Sequence, residues 1–198
     1  MNMIDPVLQE DFDYISDNCA ALSQLNGCNV LVTGATGVVG SLIVKTLAYC
    51  NVKRDLHIGI LLFARGADKA REIFGSILDE PNVRLFIGDI NNEIIMDMPV
   101  GYIIHGANPT ASKFFVTNPV ETIMTTLTGT NNILKFATQK NVKGMVYLSS
   151  MEVYGQIPDN KKLVSEEELG HLDILAPRSS YSESKRAAEC LCVSYASE

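Results

Sequence analysis

"NVLVTGATGVVG" (Asn29–Gly40) decides how the rest of the chain is read. Its first half is a short apolar run, rich in valine, that stops at a glycine. That is the pattern of a parallel strand buried on both faces. Its second half sets Gly34, Gly37 and Gly40 across a turn and into a helix expected from about Val38 to Tyr49. The first glycine permits the tight turn, the second lets the backbone approach a pyrophosphate, and the third lets helix and strand pack closely. The helix start adds unpaired N–H groups and about half a unit of positive charge. The spacing is GxxGxxG rather than GxGxxG. Its place between strand and helix is therefore what points to a dinucleotide site.

Working outward, strand and helix alternate. "HIGILLFAR" (His57–Arg65) reads as a second strand, residues 67–78 as helix, "VRLFIGD" (Val83–Asp89) as a third strand and "YIIHGA" (Tyr102–Ala107) as a fourth. A long helix is expected over 119–139, a fifth strand at "GMVYLSS" (Gly144–Ser150), and a last helix from near Ser179 to the end. Such alternation builds an α/β fold, a Rossmann-like doubly wound parallel sheet with helices on both faces. The longest loop, 155–178, lies where such sheets shape their sites. Upstream, residues 4–25 read as a leading helix, with Asp5 as its cap, Pro6 in its first turn and Ile4, Leu8, Ile15, Cys19 and Leu22 as its apolar face. The expected division is a helical extension over 1–26 and a dinucleotide-binding domain over 27–198.

Composition narrows the class. The chain has 198 residues, 46% of them hydrophobic, enough for one sizeable core. A net charge of -7 disfavours nucleic acid and anionic membranes as main partners. No apolar run is long enough to span a bilayer, and Asp5, Glu10, Asp11 and Asp13 break up any signal-like stretch. Five cysteines, an odd number with no CxxC pair, read as reduced thiols in a cytoplasmic protein rather than as a metal site.

Where an acid would hold the ribose 2′-hydroxyl, at the end of the second strand, the chain reads Phe63-Ala64-Arg65. Arg65 can take a 2′-phosphate or simply be solvated, which leaves NADP open beside NAD. Asp89 can reach the adenine or cap the following loop. Near the end comes "YSESK", with Tyr181 and Lys185 one helical turn apart. Beside a nicotinamide, a tyrosine can take the proton of a substrate hydroxyl while hydride leaves the carbon. An ammonium one turn on favours the phenolate. Ser150, ending the fifth strand, can orient the substrate oxygen. Of the histidines, His57 reads as surface, His105 as packed near the cofactor and His171 as solvated loop.

From Asn29 to Glu198 the chain resembles the extended short-chain dehydrogenase/reductase family, in its NAD-dependent epimerase/dehydratase branch that works on nucleotide sugars. The resemblance rests on "TGATGVVG", "GDI", "YIIHGA", "NPVETI…GTNNIL", "VYLSSMEVYG" and "YSESK". It implies Ser150, Tyr181 and Lys185 as the catalytic trio. It implies NAD held by Gly34, Thr36, Gly37, Val38, Val39, Gly40, Arg65, Asp89, Ile90, Ala107 and Lys185. Such enzymes oxidise the sugar at C4, act on the ketone and return the hydride. Glu152, two residues after Ser150, is expected on the same side of an extended segment, where it could take a C5 proton. The 4,6-dehydratases resembled here carry an acid before that glutamate, and this chain has Met151. "PRSSYSESKRAAE", Arg178 included, is similar to a run in the UDP-glucuronate decarboxylases. Decarboxylation and dehydration both stay open, with C4 epimerisation or reduction and a non-catalytic dinucleotide-binding module as alternatives. Thr126 stands where the family commonly has asparagine. The family also adds strands and a smaller substrate domain beyond the YxxxK helix, so the reading expects an N-terminal portion that associates as a homodimer through the 119–139 and terminal helices.

Overall fold

The computed structural model describes residues 5–158 and 161–198. Five strands, β1 (Asn29–Thr33), β2 (Gly59–Ala64), β3 (Val83–Ile87), β4 (Tyr102–His105) and β5 (Gly144–Tyr147), form one sheet in the order β3-β2-β1-β4-β5. β1 runs parallel to both β2 and β4, and β2 to β3. This is the doubly wound order, whose direction of winding reverses between β1 and β4. The described residues group into two compact units, the first made of 5–89, 96–106 and 140–146, the second of 90–95, 107–139, 147–158 and 161–198.

In the first unit, β1 and β2 bury almost every side chain, as their unbroken apolar runs require. Val30, Val32, Ile60 and Leu62 cluster with Val44, Leu47 and Cys50 of α2 (Val38–Arg54) and with Ala70 and Phe74 of α3 (Ala67–Phe74). α2 runs past the expected end at Tyr49 and stops where Asp55 turns left-handed, with Lys53 and Arg54 at its negative end. α3 gives way at Gly75, φ 48°, to a 3-10 turn over Gly75–Asp79.

The leading helix differs from expectation. Asp5 does cap it, accepting from the Val7 N–H at 2.9 Å. But α1 (Pro6–Asn18) breaks at Cys19, and Ala20–Leu25 is a 3-10 turn. Its buried residues are Phe12 and Ser16, whereas Ile15 is exposed; Ile4 lies outside the described residues. Side-chain partners on α2 set this rotation. The Phe12 ring meets that of Tyr49 at 5.7 Å, and Asp13 accepts from the Tyr49 hydroxyl and the Lys53 ammonium, each at 2.6 Å.

The second unit holds α4 (Ser112–Thr117), α5 (Pro119–Lys140) and α6 (Ser179–Ser197). α5 lies close along 90–95. A Cβ on Gly129 would come within 2.9 Å of Ile90, and the Asn132 amide donates to the carbonyls of Ile90 and Asn92. The described ends of the loop after β5 are tied together and to α6. Gln156 bridges to His171, and Arg186 of α6 donates to the carbonyls of Val153 (2.6 Å) and Gly170 (2.9 Å).

Candidate functional site

The glycine turn follows β1 directly. Gly34 takes φ 68°, a conformation L side chains resist, and its carbonyl accepts from the Gly37 N–H at 2.9 Å. A Cβ on Gly40 would stand 2.3 Å from the Gly34 oxygen, so only glycine lets α2 begin here. α2 has Gly37 as its cap, no side-chain cap bond and no acid in its first turn. No side chain of its own first turn therefore answers its leading N–H groups or offsets its positive end. The base of the turn is tied down from β4. Thr33 Oγ1 lies 2.6 Å from His105 Nδ1, both side chains fully buried, and the Gly106 N–H donates to the Thr33 carbonyl. This cradle fits a pyrophosphate, and Gly34, Thr36, Gly37, Val38, Val39 and Gly40 are the residues that would hold it.

The second constellation is built on α6. Its helical spacing places Tyr181 and Lys185 one turn apart, and both are buried. The Tyr181 ring stacks on Phe115 of α4, centroids 4.0 Å apart and planes within 4°. The Ser180 hydroxyl donates to the Phe115 carbonyl, fixing the two elements together. The Arg178 guanidinium covers Phe115 at 5.0 Å from its centroid. Lys185 is only 2% exposed, and its ammonium donates to the Leu148 carbonyl at 2.7 Å. It stands 5.9 Å from the Tyr181 ring centroid and 4.5 Å from that of Tyr147. Burial pushes the lysine down to about 8, so it still carries its charge at neutral pH.

Ser150 and Glu152 are arranged differently from the extended segment expected of them. β5 ends at Tyr147, and Met151–Tyr154 form a 3-10 turn. Ser150 caps it, its Oγ accepting from the Glu152 N–H at 3.3 Å, which leaves the hydroxyl proton to be donated. The Glu152 carboxylate is engaged on both oxygens, by Arg178 Nη2 and by the Ser182 hydroxyl at 3.1 Å. Met151, before it, is 83% exposed. Thr126 is buried, with its hydroxyl 2.9 Å from Asn108 Oδ1.

The remaining expected cofactor residues sit at strand ends or just beyond. Arg65 is exposed one residue after β2 and Asp89 two residues after β3; Ile90 is buried and Ala107 half-buried. His57 and His171 are exposed. All five thiols are free, and no group of three or more metal-ligating side chains occurs among the described residues. No described helix is long and apolar enough to cross a membrane. Sequence reasoning missed Phe115, Ser182 and Tyr147. Phe115 lies on a six-residue helix too short to show a periodic face, although the paired Phe114 and Phe115 were a signal for burial.

The sequence profile of the NAD-dependent epimerase/dehydratase family matches residues 30–198. The chain is 32% identical over 167 residues to UDP-glucuronic acid decarboxylase 6 of Arabidopsis thaliana, covering 84% of this chain and 46% of that protein. It is 30% identical over 181 residues to UDP-glucuronic acid decarboxylase 1 of Xenopus tropicalis, covering 88% and 39%. Among solved structures, epimerase Mth375 of Methanothermobacter thermautotrophicus matches with a TM-score of 0.72 at 22% identity, covering 91% of this chain and 50% of that one. A mutant UDP-glucuronic acid 4-epimerase of Bacillus cereus, solved with NAD and UDP-4-deoxy-4-fluoro-glucuronic acid, matches at 0.67 and 20% identity, covering 84% and 52%. The two structures speak for the fold. The chain spans about half, or less, of the length of these relatives. With the profile running from β1 through α6, the chain belongs to the NAD-dependent epimerase/dehydratase family.

Proposed function

We propose that the chain is the cofactor-holding and proton-transferring portion of a nucleotide-sugar enzyme that oxidises the sugar at C4 and then decarboxylates the 4-keto sugar. The bound NAD supplies a hydride acceptor and later a hydride donor. Everything else falls to residues of this chain. Tyr181, as phenolate, takes the C4 hydroxyl proton, and the Lys185 ammonium on the same helix face offsets its negative charge. Ser150 donates a hydrogen bond from its hydroxyl to the same substrate oxygen, keeping its proton. Once C4 is a ketone, a C6 carboxylate is a β-keto acid. The C5–C6 bond then breaks, carbon dioxide leaves, and the electron pair becomes an enolate on the C4 oxygen, held by hydrogen bonds from Tyr181 and Ser150. C5 then takes a proton from water, which restores the C4 ketone, and Tyr181 gives its proton back to that oxygen when C4 is reduced.

The observation that carries this choice is the state of Glu152. Its carboxylate is occupied by Arg178 and Ser182, and the residue before it is an exposed methionine. Decarboxylation asks neither for a base at C5 nor for an acid at a leaving hydroxyl. The similarity to UDP-glucuronic acid decarboxylases at about 30% identity supports the same choice. Dehydration is the second reading. It requires Glu152 to leave both partners and an acid that Met151 cannot supply.

The test is incubation of the chain with NAD and UDP-glucuronate labelled at C6, following labelled carbon dioxide, in parallel with dTDP-glucose, following loss of the C6 hydroxyl. Carbon dioxide release is expected. Water loss from the neutral sugar would favour the second reading, and neither product when both NAD and the nucleotide sugar are shown to bind would leave a non-catalytic dinucleotide-binding module. We further place the protein in the cytoplasm, in keeping with its five free thiols, and as a homodimer.

A further inference from the structure

We propose that Tyr147 is a positioning residue for Lys185, its ring face holding the buried ammonium where the charge serves Tyr181. This rests on the reading of Lys185 as the cation of the site. Tyr147 is the last residue of β5, and Lys185 lies in the second turn of α6. The Lys185 nitrogen is 4.5 Å from the Tyr147 centroid, nearer than the 5.9 Å to Tyr181. The side chain is 2% exposed, so water cannot solvate the charge freely. The Leu148 carbonyl, at 2.7 Å, answers only one of three N–H donors. An aromatic face attracts a cation most strongly when the cation is desolvated. Glu189 and Cys192, on the same helix as Tyr181, are the other titratable groups that act on Lys185, and both favour its charge from a distance. The ring and the Leu148 carbonyl touch it from the strand side and so also fix where it sits.

The ring face, not the hydroxyl, does this, which makes the proposal separable from ordinary packing. In protein with 13C-labelled lysine, the Lys185 Cε signal, identified by its absence in Lys185→Met, reports the titration midpoint. Tyr147→Phe should leave the midpoint near the wild-type value of about 8. Tyr147→Leu should lower it by about 1 pH unit. Phenylalanines at 147 carrying one to five ring fluorines keep the shape and weaken the face step by step. Across them the midpoint should fall in order, and this series decides the matter if the leucine variant fails to fold. An unchanged midpoint through the fluorinated series would overturn the proposal. NAD titration calorimetry on Lys185→Met tests the underlying reading separately. Wild-type affinity there would remove Lys185 from the cofactor site and the proposal with it, whatever the ring does to the midpoint.

Discussion

Lys185 is where burial and chemistry oppose one another. Its ammonium has left water, and its titration falls from 10.5 to about 8. Between those values the unfolded chain binds the proton that the folded chain has lost, so stability rises with pH through that window. Below about pH 8 the full cost applies, on the order of 3 kcal/mol for a shift of this size. Urea midpoints at pH 7, 8.5 and 10 should therefore climb in the wild type relative to Lys185→Met, which has no proton to lose there. Parallel profiles would mean the lysine is solvated in the folded chain. Tyr181 makes the complementary prediction. Tyr181→Phe keeps the stack on Phe115 but removes the proton acceptor. Turnover should drop by roughly 10²–10⁴-fold with NAD affinity within a few-fold of wild type. A phenylalanine variant that turned over normally would take Tyr181 out of the chemistry.

At the scale of elements, the glycine turn and the α1–α2 contact each depend on one atom-level fit. Gly40→Ala would drive a methyl group to 2.3 Å from the Gly34 carbonyl, against backbone that cannot swing aside. A loss of roughly 1–3 kcal/mol in denaturant melts is expected, together with weakened NAD binding in calorimetry. α1 depends on Asp13, which Lys53, Tyr49 and Gln9 hold down at about 2. Its contribution is complete above the ordinary value of 3.8 and is lost as pH falls toward 2. Asp13→Asn should thus cost stability at pH 6 and little at pH 2, read from urea midpoints. These elements also show what the sequence could and could not yield. β1, β2, the turn between β1 and α2, and α5 were legible because long apolar runs and glycine spacing are local signals. The rotation of α1 was not, because Ile15 is as apolar as Phe12 and only Tyr49 and Lys53, far along the chain, choose between them. The 3-10 turn carrying Glu152 was hidden for a similar reason. Alternation past Tyr147 suggested strand, whereas the Ser150 cap and the Arg178 pair, 26 residues away, set the backbone and the carboxylate.

For the whole molecule the open question is what it meets in solution. A net charge of -7 should keep copies apart unless a specific face outweighs it. The second unit has candidates for such a face. Val120 and Met124, one turn apart on α5, are 72% and 55% exposed, and Val193 on α6 is 70% exposed. Side chains of this size on helices of one unit, left in water, are the kind of surface a two-fold partner covers, since the same patch on each copy then meets itself. β5, last in the strand order, adds an exposed Val146 at a sheet edge. The two possibilities differ in what a charge would do. On α5, Met124→Glu would set two like charges close together across a two-fold contact and weaken association by roughly 10–100-fold. At the sheet edge, Val146→Lys would block strand addition and leave a helical dimer intact. Sedimentation at about 50 µM should give a dimer for the wild type and for Val146→Lys, and a monomer for Met124→Glu. The reverse pattern would move the interface to the sheet edge. A wild-type monomer would leave α5 and α6 as surface that this chain does not use on itself.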